Sequence, residues 1–324
     1  MANRRFYIQL AVILGLFIVA PFILTKYYRQ FLTEILIWGL LAMSLDLILG
    51  YTGIVSFGHA ALFGLGAYGA AMAVVKMKAG FWLALACGLT SSILFAISVG
   101  FLSIYVRGIY FTIITLVSAE IFHTVMLATP FFGGENGLNY QVPSLNLGFV
   151  RFSLLNPINF YYLVLFFFFL SYFLCRRVTQ SPVGKVFQAI KDNEERARAI
   201  GYDVRKYKIM AFVISGLFSG LSGVLYTLLN RYSNPDFLSF IISGEAVIWT
   251  LIGGMGTLYG PVLGTAIVMI IGDSLSSWIE NYLIIIGLMF IVSVIFLPKG
   301  IVGTVTDRFF LKGRMNKDWK DGAV

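Results

Sequence analysis

Apolar residues dominate this chain in long unbroken runs rather than in alternating or amphipathic patterns. Runs fall at 6–24, 31–49, 58–75, 81–105, 109–128 and 159–175, and after a polar interval at 209–229, 241–258, 262–278 and 281–297. Crossing a bilayer as a helix takes about 20 such residues, so the pattern predicts an all-α polytopic membrane protein of about 8–10 transmembrane helices. Two stretches break the pattern. Glycines crowd 50–75 and 241–264, and either is expected to be a broken or re-entrant segment, which is tolerated at membrane depth only inside protein or beside a water-filled cavity.

The polar interval at 176–208 has its own helical pattern. Ser181-Pro182 has the form of a helix cap followed by proline at the first helical position. Val183, Val186, Phe187, Ile190, Ala197 and Ile200 recur at roughly helical spacing, Gly201 stands where a left-handed terminating residue belongs, and Asp203 is placed to cap the next helix. One amphipathic helix over 182–200 is expected. From its physics it could fill a groove on a cytosolic partner or lie on lipid headgroups. A basic tail follows at 298–324, with 312–324 expected to be disordered. The organisation is thus a transmembrane domain over 1–297, holding the 176–208 loop, and a short tail at 298–324.

Composition agrees with the pattern: 59% of the 324 residues are hydrophobic and 12% charged, against about 25% charged in soluble domains. The net charge of +9 points to orientation, not to nucleic acid. With ten crossings, 18 of the Lys and Arg residues lie on the side of the termini and the 176–208 loop, and six (Lys26, Arg29, Lys76, Lys78, Arg151, Arg231) lie opposite. Positive-inside places both termini and that loop in the cytoplasm. Arg4 and Arg5 precede an apolar run without a cleavage site, so an uncleaved first helix is expected. Cys87 and Cys175 both sit in apolar runs and form no framework or ligand spacing.

Ionisable residues within the spans are the first functional candidates, because each costs a few kcal/mol in lipid unless satisfied. They are Glu34, Asp46, His59, Glu120, His123, Glu245, Asp273 and Glu280. Glu34, Asp46 and Glu280 lie near span ends, where interfacial hydration accounts for them. Glu120 and His123 share a helix face, matching half of a di-iron carboxylate set; the other half is absent, so no metal is expected. Gly58, Gly64 and Gly66 surround His59 in a small-residue segment suited to close helix packing, and these residues with Glu120, His123 and Glu245 either line a pathway or pack helices. Gly133-Gly134-Glu135-Asn136-Gly137, in the outer loop 129–158, permits turns that other residues resist; it is a connector or a docking element. The only Gly-Lys pair, Gly184-Lys185, lacks phosphate-loop spacing. No catalytic constellation and no cofactor site is found.

The run Gln188 to Gly201 resembles the coupling loop of ABC-importer permeases, and most nearly that of the LivM-type permeases for branched-chain amino acids. Ala189, Ile190, Asn193, Glu194 and Gly201 meet the LivM-like form, and Glu195, Ala197 and Gly201 meet part of the broader importer motif, from which Arg196 departs. Gly50-Tyr51-x-Gly53 with Ser56-x-Gly58-His59-Ala60, then Arg107-Gly108-x-Tyr110-Phe111, Gly133-Gly134-x-Asn136-Gly137-Leu138, Ser243-Gly244-Glu245 and Gly253 through Pro261 resemble further family segments in the same order. The residue before Gly133 is Phe132, where the family often has threonine.

The resemblance implies a permease subunit without ATPase activity in a bacterial or archaeal inner membrane. It implies a second homologous permease, two cytosolic ATP-binding subunits and an extracytoplasmic solute-binding protein as partners, with no nucleic acid. Ala189, Asn193, Glu194, Ala197 and Gly201 are then the expected contacts to the ATPase, with Asn193, Glu194 and Ala197 on the exposed face. Related permeases carry urea or short amides. An ion-coupled secondary transporter using Asp46, Glu120 or Asp273 is the alternative from a different class, since paired broken helices also occur there. An intramembrane enzyme built on His59, Glu120 and His123 lacks a nucleophile.

Overall fold

The computed structural model describes residues 14–102, 108–146, 151–279, 281–297 and 299–304. Glu280, Arg107 and the expected disorder of 312–324 fall outside them. Among the described residues the elements are α1 (Leu14–Ile23), α2 (Lys26–Leu49), α3 (His59–Met77), α4 (Phe81–Leu102), α5 (Ile109–Ala128), α6 (Pro157–Gln180), α7 (Pro182–Asp192), α8 (Glu194–Ala199), α9 (Val204–Asn230), α10 (Phe240–Gly253), α11 (Tyr259–Ser276) and α12 (Tyr282–Phe296). Eight helices are long and apolar enough to cross a bilayer, while α1 and α10 are shorter apolar helices. The chain is an all-α polytopic membrane protein.

Helix α2 is apolar on every side and buried along most of its length, as expected of a helix at the centre of a bundle. Around it, α3, α4 and α9 pack on one another through small residues. A methyl at Gly66 would meet the backbone of Gly220, one at Gly223 the Phe63 carbonyl, and one at Gly216 the side chain of Ala96. In lipid such close backbone approach replaces hydrophobicity as the source of helix association. Trp38 of α2 stacks on Phe63 of α3 at 4.9 Å and meets Tyr226 of α9 at 4.6 Å and Trp249 of α10 at 5.6 Å between ring centroids. Helix α11 packs against α10 and α2, and α12 lies at the edge, with largely exposed apolar side chains.

Two expectations change. The run 241–258 does not cross as one full-length helix, because α10 has 14 residues and a rise of about 1.5 Å per residue gives about 21 Å. The helix over 182–200 is two helices. Asn193 takes an extended backbone (φ −163°, ψ 105°) and its side chain accepts from the Arg196 N–H, so asparagine's habit of bonding nearby backbone ends one helix and caps the next.

Candidate helix breaks and the capped helix pair

The first glycine-dense region is irregular where it begins; the second begins inside α10, and an irregular stretch, 231–239, lies just before it. Residues 51–58 carry little helix, and α3 starts only at His59. The segment's backbone is satisfied by side chains from two neighbouring helices. Thr112 Oγ1 donates to the Val55 carbonyl at 2.9 Å, and the Phe57 N–H donates to Thr115 Oγ1 at 3.3 Å. Ser243 Oγ donates to the Phe57 carbonyl at 2.7 Å and accepts from the Ala60 N–H at 2.9 Å. Thr115 lies six residues into α5, about 9 Å along it, so this backbone runs beside the spans rather than at their ends.

The second irregular stretch, 231–239, joins α9 to α10. Tyr232–Ser233 pairs with Leu138–Asn139 of the outer loop, and the turn Pro235–Leu238 carries the buried Leu238 against Gly64. Gly133 (φ +92°) and Gly137 (φ +61°) hold the outer loop in turns that need glycine. The two breaks therefore meet around the first turns of α3, and Ser243 of α10 ties the first of them to the helix that follows the second.

This geometry separates the span residues singled out from sequence. His59 is fully buried; its Nε2 pairs with Ser215 Oγ at 2.8 Å, and Ser215 donates on to the Ser44 carbonyl. Gly58, Gly64 and Gly66 abut Thr115, Leu238 and Gly220. All four are buried within the chain. Glu120 and His123 stay partly exposed and pair at 3.2 Å, with His123 Nε2 at 3.8 Å from the Asp236 carboxylate across the second break. Glu245 is half-buried on α10 and lines a cavity of about 640 Å³ with Phe57, Trp38, Gly244 and Asp273. Asp273 accepts from the Tyr27 hydroxyl, and Glu34 from Gln30.

Asp46 corrects an expectation. It is not hydrated at a span end but fully buried, and its carboxylate accepts from the N–H groups of Gly256 (2.6 Å) and Leu258 (3.0 Å). The sequence offered no signal for this beyond an acid one helical turn before Gly50, since its partners lie more than 200 residues away. Cys87 and Cys175 are free thiols. Among the described residues, no group of three or more His, Cys, Asp or Glu side chains could hold a metal.

The helix pair α7–α8 is capped as its sequence predicts. Ser181 Oγ accepts from the Gly184 N–H, and Asp203 accepts from the Lys206 N–H. The side-chain bond to Lys206 holds the Asp203 carboxyl below the usual carboxylate range. Gly201 (φ +102°) ends α8 with the paired bonds Tyr202 N–H to Ala197 O and Gly201 N–H to Arg198 O, a Schellman termination. Two of the expected partner contacts point elsewhere. Ala197 is 2% exposed and packs on Val186, Ile190 and Val204, because it faces the groove between α7 and α9. Glu194 is bound within the chain, to Lys208 Nζ at 2.6 Å and Arg198 at 3.0 Å. Asn193 is exposed and Ala189 half-buried, while Glu195, Arg196 and Ile200 form the outer surface. Lys191, Glu194 and Lys208 also line a cavity of about 540 Å³ with Thr52, Val55 and Thr112, which links the helix pair to the first break.

Comparison with known proteins identifies this arrangement. A family model described as the permease component of branched-chain amino acid transport systems matches residues 27–294. The high-affinity branched-chain amino acid transport system permease protein LivM of Escherichia coli (strain K12) is 25% identical over 325 residues, covering 94% of this chain and 76% of that protein. A probable branched-chain amino acid transport permease protein LivM of Methanocaldococcus jannaschii is 29% identical over 137 residues, 40% of this chain and 38% of that protein. The ribose import permease protein RbsC of Haemophilus influenzae is 26% identical over 133 residues, 38% of this chain and 40% of that protein. No solved structure matches. The chain belongs to the permease-component family of branched-chain amino acid transport systems.

Proposed function

We propose that this chain is one permease subunit of an ATP-driven importer that carries branched-chain amino acids, or solutes of similar shape, into the cytoplasm. The observation that carries the reading is the capped pair α7–α8, whose exposed outer surface lies next to the root of a helix break. Such a pair serves a subunit that receives motion from a cytosolic partner. Its partners are a second homologous permease, two cytosolic subunits that hydrolyse ATP, and a solute-binding protein outside. The exposed surface of α8, with Asn193, Glu195, Arg196 and Ile200, meets the ATPase, while Glu194, Ala197 and Gly201 shape that surface from within.

Residues 1–297 form the membrane unit, with both termini and the 176–208 loop in the cytoplasm of a bacterial or archaeal inner membrane. The charge bias of the loops supports this orientation. The solute passes along the face that carries the two breaks, Glu120, His123 and Glu245, between this chain and the second permease. Supporting this, Val55, Phe240 and Ile241 are exposed beside irregular backbone, and irregular backbone at membrane depth needs protein or water rather than lipid as its neighbour.

The test is reconstitution in liposomes with leucine as solute. The chain alone, with ATP inside, is expected to be inert; with its partners, uptake requires ATP. Leucine uptake by the chain alone under a proton or sodium gradient would replace this reading with a secondary transporter.

A further inference from the structure

Lys191, Gly50, Asp46 and the 256–258 turn form a continuous chain of contacts where the cytoplasmic helix pair touches the membrane part. Lys191 is on the last turn of α7. Its stem lies against Gly53, and its Nζ donates to the Gly50 carbonyl at 2.6 Å. Gly50 ends α2 and packs so closely against the Asp46 carboxylate and the Gly256 backbone that no side chain fits there. One turn back along α2, the Asp46 carboxylate accepts from the Gly256 and Leu258 N–H groups. These amides sit in the turn that ends α10 and begins α11. Leu258 there has φ +61°, a conformation that a bulky side chain keeps only while its surroundings impose it.

Both ends of the first break are rooted in this assembly. Residues 51–58 leave from Gly50, and Ser243 of the same α10 whose end Asp46 secures holds the Phe57 carbonyl. A displacement of α7 carried by Lys191 therefore reaches the break from both sides.

We propose that Lys191 is a positioning residue whose ammonium sets the end of α2 and, through Asp46, the α10–α11 turn, so that motion imposed on the cytoplasmic helix pair reaches the helix breaks. The functional half of this inference rests on the importer reading above. The competing account is local: a lysine near a helix C-terminus satisfies a free carbonyl and goes no further.

The test uses the purified chain in detergent and the complete transporter in liposomes with leucine. Lys191→Met removes the ammonium and keeps the stem, Lys191→Arg restores a donor, and Asp46→Asn breaks the second link. In the purified chain, hydrogen exchange at the Gly256 and Leu258 amides is expected to be about tenfold faster in Lys191→Met and Asp46→Asn, and near wild type in Lys191→Arg. In the transporter, ATP hydrolysed per leucine carried is expected to rise about fivefold in the first two variants and recover in the third. Unchanged exchange in Lys191→Met overturns the route in favour of the local cap, and faster exchange with an unchanged ratio overturns its role in carrying motion to the helix breaks. A wild-type transporter that moves no leucine with ATP would sink the importer reading instead, and the exchange measurement alone then decides whether the Lys191–Asp46 route exists.

Discussion

Replacing Gly66 by alanine tests the idea that backbone contact, not side-chain chemistry, holds α3 against α9. A methyl on Gly66 lands within contact distance of the Gly220 carbonyl oxygen and Cα. Both obstacles are backbone atoms, so no rotamer change relieves the clash and the two helices must part. A gap of roughly 0.5–1 Å forfeits a quarter to a half of the attraction between the atoms it separates, and overpacking a tight core costs about 1–3 kcal/mol. Alanine recovers about 0.5–1 kcal/mol over glycine within a helix. The net expectation is a loss of about 1–2 kcal/mol, with Gly66→Leu failing to assemble. Gly287→Ala is the control: nothing lies within 4 Å of the added methyl, so only the helical gain remains and the chain should be stabilised slightly. The assay is the fraction of detergent-purified chain that remains monodisperse after heating. Gly66→Ala as heat-resistant as wild type, or Gly287→Ala as damaging, would refute the reasoning.

The pair Glu194–Lys208 should couple in a double-mutant cycle by about 1 kcal/mol of stability, the usual scale for a partly screened pair; independent effects would mean that Glu194 acts on a partner instead. Gly201→Val forces a β-branched residue into φ +102° and should cost about 1–2 kcal/mol, visible as faster tryptic cleavage at Arg198; unchanged cleavage would contradict the termination described. Gly244→Leu enters open space on α10, so the purified chain should keep wild-type stability while co-purification with the second permease falls; normal co-purification would move the permease contact away from this face.

The apolar runs by themselves determined the class of protein and the number of elements within a narrow range, because lipid leaves backbone no partner but itself; glycine density marked the break at 51–58, whereas those at 231–239 and Asn193 carried no such mark. Local chemistry was equally legible: Ser181, Gly201 and Asp203 act within four residues of their own positions, and each caps or ends a helix as its side chain dictates. The role of a residue that acts across the bundle was not legible. Asp46 reads as an acid near a span end, yet its carboxylate closes a turn 210 residues further along the chain. His59 and Glu120 are alike in sequence as polar groups in apolar runs; only packing buries one against Ser215 and leaves the other at an open face. Ala197 and Glu194 show the same limit, since helical spacing gives a face its period but not its neighbour. What that face meets, α9 within the chain or a partner outside it, was decided by the tertiary fold, where Val204 and Lys208 arrive to cover it.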